Sequence, residues 1–275
     1  MRIALVANAQ SGSEDVTSSV RDLLRPDRII DVQEAEKTER LAGVDRIVVA
    51  GGDGSVGCAA ALARRSRVPL AVVPTGTAND FARWLDVPLD VEAAARLAGD
   101  PSSAIRSVEL ARAGGARPFV NAATAGLSVL AATRARPLKP KLGRFAYAVG
   151  AVRAAVTGRP LHVTVRCDGR TRFTGDAWQV VVAATGAFGG GSGTGGVDSH
   201  DHELDVAVVP AGSRLGLARR AWAMRRQQLV DGPAVKHFRG AHVEVEGART
   251  FNVDGEVLEI EPRFDVAGSF VVVAP

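Results

Sequence analysis

Short apolar runs separated by polar, helix-like segments open the chain. Arg2 to Ala7, Arg28 to Gln33, Ile47 to Ala50 and Leu70 to Val73 are rich in Val, Ile, Leu and Ala. Runs of this length without alternation predict strands buried on both faces. Between and after them, Glu14 to Leu24, Ala35 to Ala42, Val56 to Arg65, a segment starting near Asn79 and the VEAAARLA stretch within Asp86 to Gly99 predict helices. Strand and helix in alternation predict an α/β unit with a largely parallel sheet.

Beyond this point the pattern changes. Ile105 to Ala111, Arg117 to Ala122, Leu161 to Cys167, Thr171 to Thr174, Trp178 to Ala184, Leu204 to Val209, His242 to Glu246, Phe251 to Val253, Glu256 to Ile260 and Phe264 to Val273 all read as strands. Many alternate, or are divided by turn pairs such as Gly114-Gly115, Asp168-Gly169 and Asp254-Gly255. Short strands spaced by such turns predict an antiparallel β-sandwich. A boundary near Ala104 is expected, dividing residues 1–103 from 104–275, with a last strand near 270–275 able to return to the first domain. Two helices interrupt the β region. Leu142 to Thr157 follows a basic stretch, and Arg214 to Leu229 is basic and amphipathic, with Trp222 and Met224. The second is either a solvated basic face packed on the sandwich or a membrane-surface helix.

Composition narrows the classes. The 275 residues carry a formal net charge of +4. This mild excess suits anionic partners such as nucleotides or acidic lipid headgroups, and is too small to argue for nucleic acid, for which no motif is present. Cys58 and Cys167 fall in a predicted helix and a predicted strand, as in a reduced cytosolic protein. No apolar run approaches the length of a membrane span. The apolar core of MRIALVANA is too short for a signal peptide. The expected location is therefore cytoplasmic, with any membrane contact peripheral. The oligomeric state is left open, a homodimer included.

The chemistry centres on two turns. Gly51, Gly52, Asp53, Gly54 and Ser55 follow the third apolar run and lead into a helix. Pro74, Thr75, Gly76, Thr77, Ala78, Asn79 and Asp80 follow the fourth and lead into another. A glycine turn between strand and helix lets an anion reach backbone N–H groups without a Cβ in the way. Consecutive βα units place both turns at one sheet edge. Two phosphate-friendly turns side by side predict a nucleotide site, whereas one alone could be only a tight turn.

GGDGS with PTGTANDFAR resembles the diacylglycerol kinase catalytic family, which includes sphingosine and ceramide kinases. NAD kinases and phosphofructokinases share the first turn without the second. The resemblance extends to Asn8, Ser11 and Gly12 of an NPxSG-type loop, although Ala9 replaces the usual proline. At the helix after GGDGS, Gly57 and Cys58 stand where the family usually has Asn and Glu. Gly189 to Gly191, Asp201, Leu204, Asp205 and Val206 match a GGG…P-x-A-x-x-x-D-G-x-L-D-V segment, with Gly195 in place of its proline. This match implies a structural magnesium held by Asp201 with the carbonyls of Asp198 and Glu203. Zinc at His200 and His202 is the alternative, but no third nitrogen or sulfur ligand is at a telling spacing. All five histidines otherwise read as ordinary polar residues.

Asp254-Gly255-Glu256, alone a hairpin turn, resembles the family's DGE motif. The family's expected fold is an α/β nucleotide domain followed by a β-sandwich lipid domain. Its expected activity is ATP-dependent phosphorylation of a lipid hydroxyl, diacylglycerol before a sphingoid base or monoacylglycerol. The alternatives are a catalytically silent nucleotide- or lipid-binding homologue and an NAD kinase-like enzyme. In this reading Glu256 is the general base and Asp53 engages magnesium or the γ-phosphate. Asp254 orients the base or binds magnesium. Ser55, Thr75, Gly76, Thr77, Asn79 and Asp80 complete the nucleotide site with the glycines of the first turn.

Overall fold

The computed structural model describes residues 1–7, 14–138, 143, 145–185, 187–188, 192–193, 202–213 and 235–275. They form two compact units. The first comprises Met1–Leu110, Pro118–Val120 and Ala267–Pro275, the second Ala111–Arg117 and Asn121–Val266.

In the first unit, β1 (Ile3–Ala7) lies between β2 (Arg28–Asp31) and β3 (Arg46–Gly51), and β4 (Leu70–Pro74) continues the sheet beyond β3. All these pairings are parallel. Every residue of β1, β3 and β4 is buried, as the unbroken apolar runs require. The end of the chain adds a further parallel strand beside β4, with Val272 opposite Leu70. The helices are α1 (Glu14–Leu24), α2 (Val32–Lys37), α3 (Asp53–Ser66), α4 (Asp80–Trp84) and α5 (Val91–Gly99). Leu5, Ile47, Leu62, Leu70, Phe81 and Leu85 are fully buried in one core, each contributing about 1.5–3 kcal/mol through burial.

Two helix starts differ from expectation. Helix α2 begins at Val32, not Ala35, because the Asp31 carboxylate accepts from the Gln33 amide at 2.8 Å. This N-cap ends the strand and starts the helix at one residue. Helix α3 begins at Asp53, so the glycine segment is not a separate loop: Gly51 ends β3, Gly52 caps α3, and Asp53, Gly54 and Ser55 form its first turn.

The chain leaves this unit along β5 (Ile105–Ala113), and β6 (Arg117–Phe119) follows. The second unit contains β7 (Ala122–Gly126), α6 (Leu127–Ala135), a 3₁₀ turn at Arg136–Leu138, α7 (Phe145–Thr157), β8 (Leu161–Cys167) and β9 (Arg170–Ala183). The two-residue strands β10 (Ala187–Phe188) and β11 (Ser192–Gly193) pair with each other. Then come β12 (Leu204–Pro210), β13 (Lys236–Gly240), β14 (His242–Glu246), β15 (Thr250–Val253), β16 (Glu256–Glu259) and β17 (Arg263–Val273), whose final residues are those already placed beside β4.

Strand order in this unit is β16–β15–β7–β9–β8–β14–β17, with β12 on β9 and β13 on β12. The pairings are antiparallel. The α/β unit followed by an antiparallel unit is the fold class the sequence predicts. Three strand readings are corrected. The strand expected over Arg117 to Ala122 stops at Phe119, and β7 begins separately at Ala122. Thr171 to Thr174 and Trp178 to Ala184 belong to one strand, β9. Strand β13 and helix α6 had no counterpart in the sequence reading. The predicted helix Arg214 to Leu229 lies outside the described residues.

Candidate active site

The two turns expected at one sheet edge do meet. The Thr75 amide donates to the Gly51 carbonyl at 3.1 Å, extending the β3–β4 ladder into the turns. Their glycines pack backbone to backbone: a Cβ on Gly76 would sit 2.5 Å from Gly52 Cα, and one on Gly52 would sit 3.3 Å from Gly76 Cα. Both glycines are therefore required by this approach, whatever they bind.

Asp53 ties the turns together from the first turn of α3. Its carboxylate accepts from the amides of Asp80 at 3.1 Å and Phe81 at 3.0 Å, the first residues of α4. One helix thus supplies the N-terminal cap of the next. Asn79 adopts a left-handed conformation, with φ 53°, and its side chain closes a ring with Gly76. Asn79 Oδ1 accepts from the Gly76 amide at 3.0 Å, and Nδ2 donates to the Gly76 carbonyl at 2.9 Å. Asp80 is buried behind it. Gly52, at the N-terminus of α3, has no side chain to cap the helix amides. A helix start of this kind, with glycine on both sides, is suited to an anion.

Gly57 and Cys58, the departures from the family pattern, have local explanations. A Cβ on Gly57 would lie 2.8 Å from the Pro118 carbonyl oxygen, so that backbone occupies the space of any side chain. Cys58 is buried, and its thiol donates to Glu36 Oε1 at 3.1 Å. A polar contact to α2 is thereby retained.

The DGE turn belongs to the second unit. Asp254 and Gly255, both at positive φ, form the two-residue turn between β15 and β16, with Val253 opposite Glu256. Asp254 is buried, and its Oδ1 accepts from the amides of Asn121 at 3.0 Å and Ala122 at 3.1 Å. It anchors the hairpin to the start of β7. Glu256 opens β16 as an exposed carboxylate, paired with Arg117 at 2.7 Å. Glu203 is paired with Arg239 at 3.6 Å. Asn8, Ser11, Gly12, Asp198 and Asp201 lie outside the described residues. Among the described residues no group of three acidic, His or Cys side chains is arranged to hold a metal.

Two features escaped the sequence reading. Glu109 of β5 is only 2% exposed. A carboxylate there is costly unless compensated, but a single Glu in a strand carries no spacing signal. His237 is not an ordinary polar residue: its Nε2 meets Asp205 Oδ1 at 2.6 Å, and Asp205 is 1% exposed. The partners are neighbours across β12 and β13, a pairing visible only once β13 is recognised.

Comparison with known proteins accords with this geometry. A family model for the diacylglycerol kinase catalytic domain matches residues 2–113, and one for the YegS C-terminal NAD kinase beta sandwich-like domain matches residues 121–272. A Pseudomonas syringae pv. tomato protein named "Probable lipid kinase YegS-like" is 33% identical over 92% of this chain and 85% of its own length. A Mycobacterium tuberculosis protein named "Diacylglycerol kinase" is 28% identical over 76% of this chain and 64% of its own. A crystal structure of a diacylglycerol kinase from Bacillus anthracis superposes with a TM-score of 0.76 at 24% identity, covering 100% of this chain and 97% of that one. Paired glycine turns on a parallel sheet, an antiparallel unit carrying a DGE hairpin, and both domain matches place this chain in the diacylglycerol kinase catalytic family, as a phosphotransferase of the YegS-like kind.

Proposed function

We propose that the chain transfers the γ-phosphoryl group of ATP to the hydroxyl of diacylglycerol, giving phosphatidate and ADP. The observation that carries this reading is the contact of two glycine turns at helix N-termini, with Gly52 against Gly76. Relatives named lipid kinase and diacylglycerol kinase support the acceptor class. Phosphoryl transfer demands chiefly positioning and charge stabilisation. Amides at the start of α3 and the hydroxyls of Ser55, Thr75 and Thr77 supply polar groups for the phosphates. The Asp53 cap fixes one turn against the other, so the cradle is formed before the nucleotide arrives. The acceptor hydroxyl loses its proton to Glu256, its oxygen bonds to the γ-phosphorus, and the bond to ADP breaks. Arg117 orients the Glu256 carboxylate beforehand.

Magnesium fits this chemistry, since it takes one or two carboxylates together with phosphate oxygens. Asp53 would hold it, and the ion would offset phosphate charge. For the structural site, Glu203, implied to contribute its carbonyl, is the described member of the ligand set, and its carboxylate pairs with Arg239.

The test is a panel of lipid alcohols in mixed micelles with labelled ATP. Phosphatidate formation from diacylglycerol, reduced roughly a hundredfold or more in Glu256→Gln with nucleotide affinity kept, is the expected result. Product only from a sphingoid base or monoacylglycerol would reassign the acceptor. Full turnover by Glu256→Gln would remove the base.

A further inference from the structure

Helices α6 and α7 form a hairpin closed through small residues. A Cβ on Gly150 would lie 2.4 Å from the Ala131 carbonyl oxygen, and Ala146, Gly150 and Ala154 are buried. Arg134 of α6 locks the pair, its Nη1 donating to the Arg153 carbonyl at 2.6 Å. Successive residues of a helix turn by about 100°, so positions two residues on from this seam face away from it. There lie Ala148, Val152 and Val156. Val152 is 66% exposed and Val156 65%, more than any other large apolar side chain among the described residues. Tyr147 is exposed beside them. Exposed Arg153 and Arg159 border the stripe, and exposed Arg136 follows α6.

Charge identifies what would cover this face. Residues 110–167 contain ten Lys or Arg and no Asp or Glu, although Arg112, Arg117 and Arg166 pair with Asp265, Glu256 and Glu246 from outside the stretch. The whole chain is only +4, so this stretch holds more than the entire positive excess and the remainder is net negative. An apolar stripe rimmed by cations, within a segment without acidic residues, matches an anionic bilayer: the valines enter the headgroup–acyl boundary and the arginines meet lipid phosphates.

We propose that the outer face of α7, centred on Val152 and Val156 and bordered by Arg153 and Arg159, is the surface by which this protein docks reversibly on anionic phospholipid membranes. The proposal deepens the lipid-kinase reading and rests on it for its purpose, while membrane binding itself is measured without any turnover. Two valines and an alanine give a modest apolar footprint, so docking is salt-sensitive and reversible.

The test is sedimentation of the full chain with vesicles of phosphatidylcholine alone or with equal parts phosphatidylglycerol. Binding to the mixed vesicles, little to the neutral ones, and weakening with added salt are expected. Val152→Asp with Val156→Asp should reduce it roughly tenfold or more. Val152→Ser with Val156→Ser, and Arg153→Glu with Arg159→Glu, give milder losses and serve if the first pair fails to fold. Undiminished binding in all folded variants would overturn the proposal. So would a wild-type dimer that the valine variants dissociate without change in vesicle binding, since the face would then belong to a second copy. In turnover, the variants should lose activity on long-chain diacylglycerol in vesicles and keep it on a water-soluble short-chain analogue. Vesicle binding that responds as stated, with no lipid alcohol phosphorylated, would leave the docking face standing and end the kinase reading.

Discussion

Gly57 shows how a single position can look like a loss and be a packing requirement. The family usually has Asn there, and the Pro118 carbonyl oxygen occupies the space where its Cβ would go. Gly57→Asn should therefore destabilise the fold by about 1–3 kcal/mol, read as a lower urea midpoint with unchanged slope. Restoring the family residue would not improve the site. Asp53 stood out in the sequence because it lies between glycines, but its contact did not. The carboxylate reaches the α4 amides, which come from the second turn of the motif, so the residue acts first on architecture. Sequence shows that an acid is present; only the fold shows which amides it faces.

Among the elements, strands that alternate were read closely. Leu161–Cys167 and His242–Glu246 emerge with the predicted bounds, because one face of each is buried and the other is not. Strand β9 was split in the reading because Gly175-Asp176 looks like a turn, yet both residues stay in the ladder opposite Val163 and His162. Gly175, at φ +147°, takes a conformation other residues rarely adopt and stays within the strand. Helix α6 was missed because LSVLAATRA has small and apolar residues around most of its circumference, which erases the period. Among the described strands, β13, KHFRG, pairs with β12 alone and carries edge-like charge. The β15–β16 hairpin makes its own prediction. Asp254→Ala strips a buried acceptor from two amides, so a loss of about 2–4 kcal/mol is expected. Asp254→Asn, which keeps one oxygen acceptor, should lose less. Thermal melts of the two variants compare them directly.

For the whole molecule, two titrations contribute to the dependence of stability on pH. Hydrogen bonds from the Arg2 side chain and backbone hold the exposed Asp45 carboxyl at about 2, below its ordinary 3.8. Its contribution is present above pH 3.8 and is lost as pH falls through about 2. Burial pushes the Cys167 thiol up to about 11 from 9.0. That contribution is present below pH 9 and is lost as pH rises toward 11, since the unfolded thiol ionises first. Urea midpoints against pH should show a plateau that falls at both ends. Asp45→Asn should soften the acid limb and Cys167→Ala the alkaline one. The two-part organisation was readable from the change in strand pattern. The small return of Pro118–Val120 into the first unit was not, because three residues carry no periodicity.

The strand beside β4 has a consequence for how the protein is made. Val272 lies opposite Leu70, Phe270 stacks on Phe81 with ring centroids 6.2 Å apart, and the Ala274 amide donates to the Ala104 carbonyl. A ribosome that has translated as far as residue 266 has yet to deliver that strand. The amino-terminal sheet must therefore wait, one flank of β4 still bare, through synthesis of the entire second unit. Maturation runs against the direction of translation: the part begun first is the part finished last.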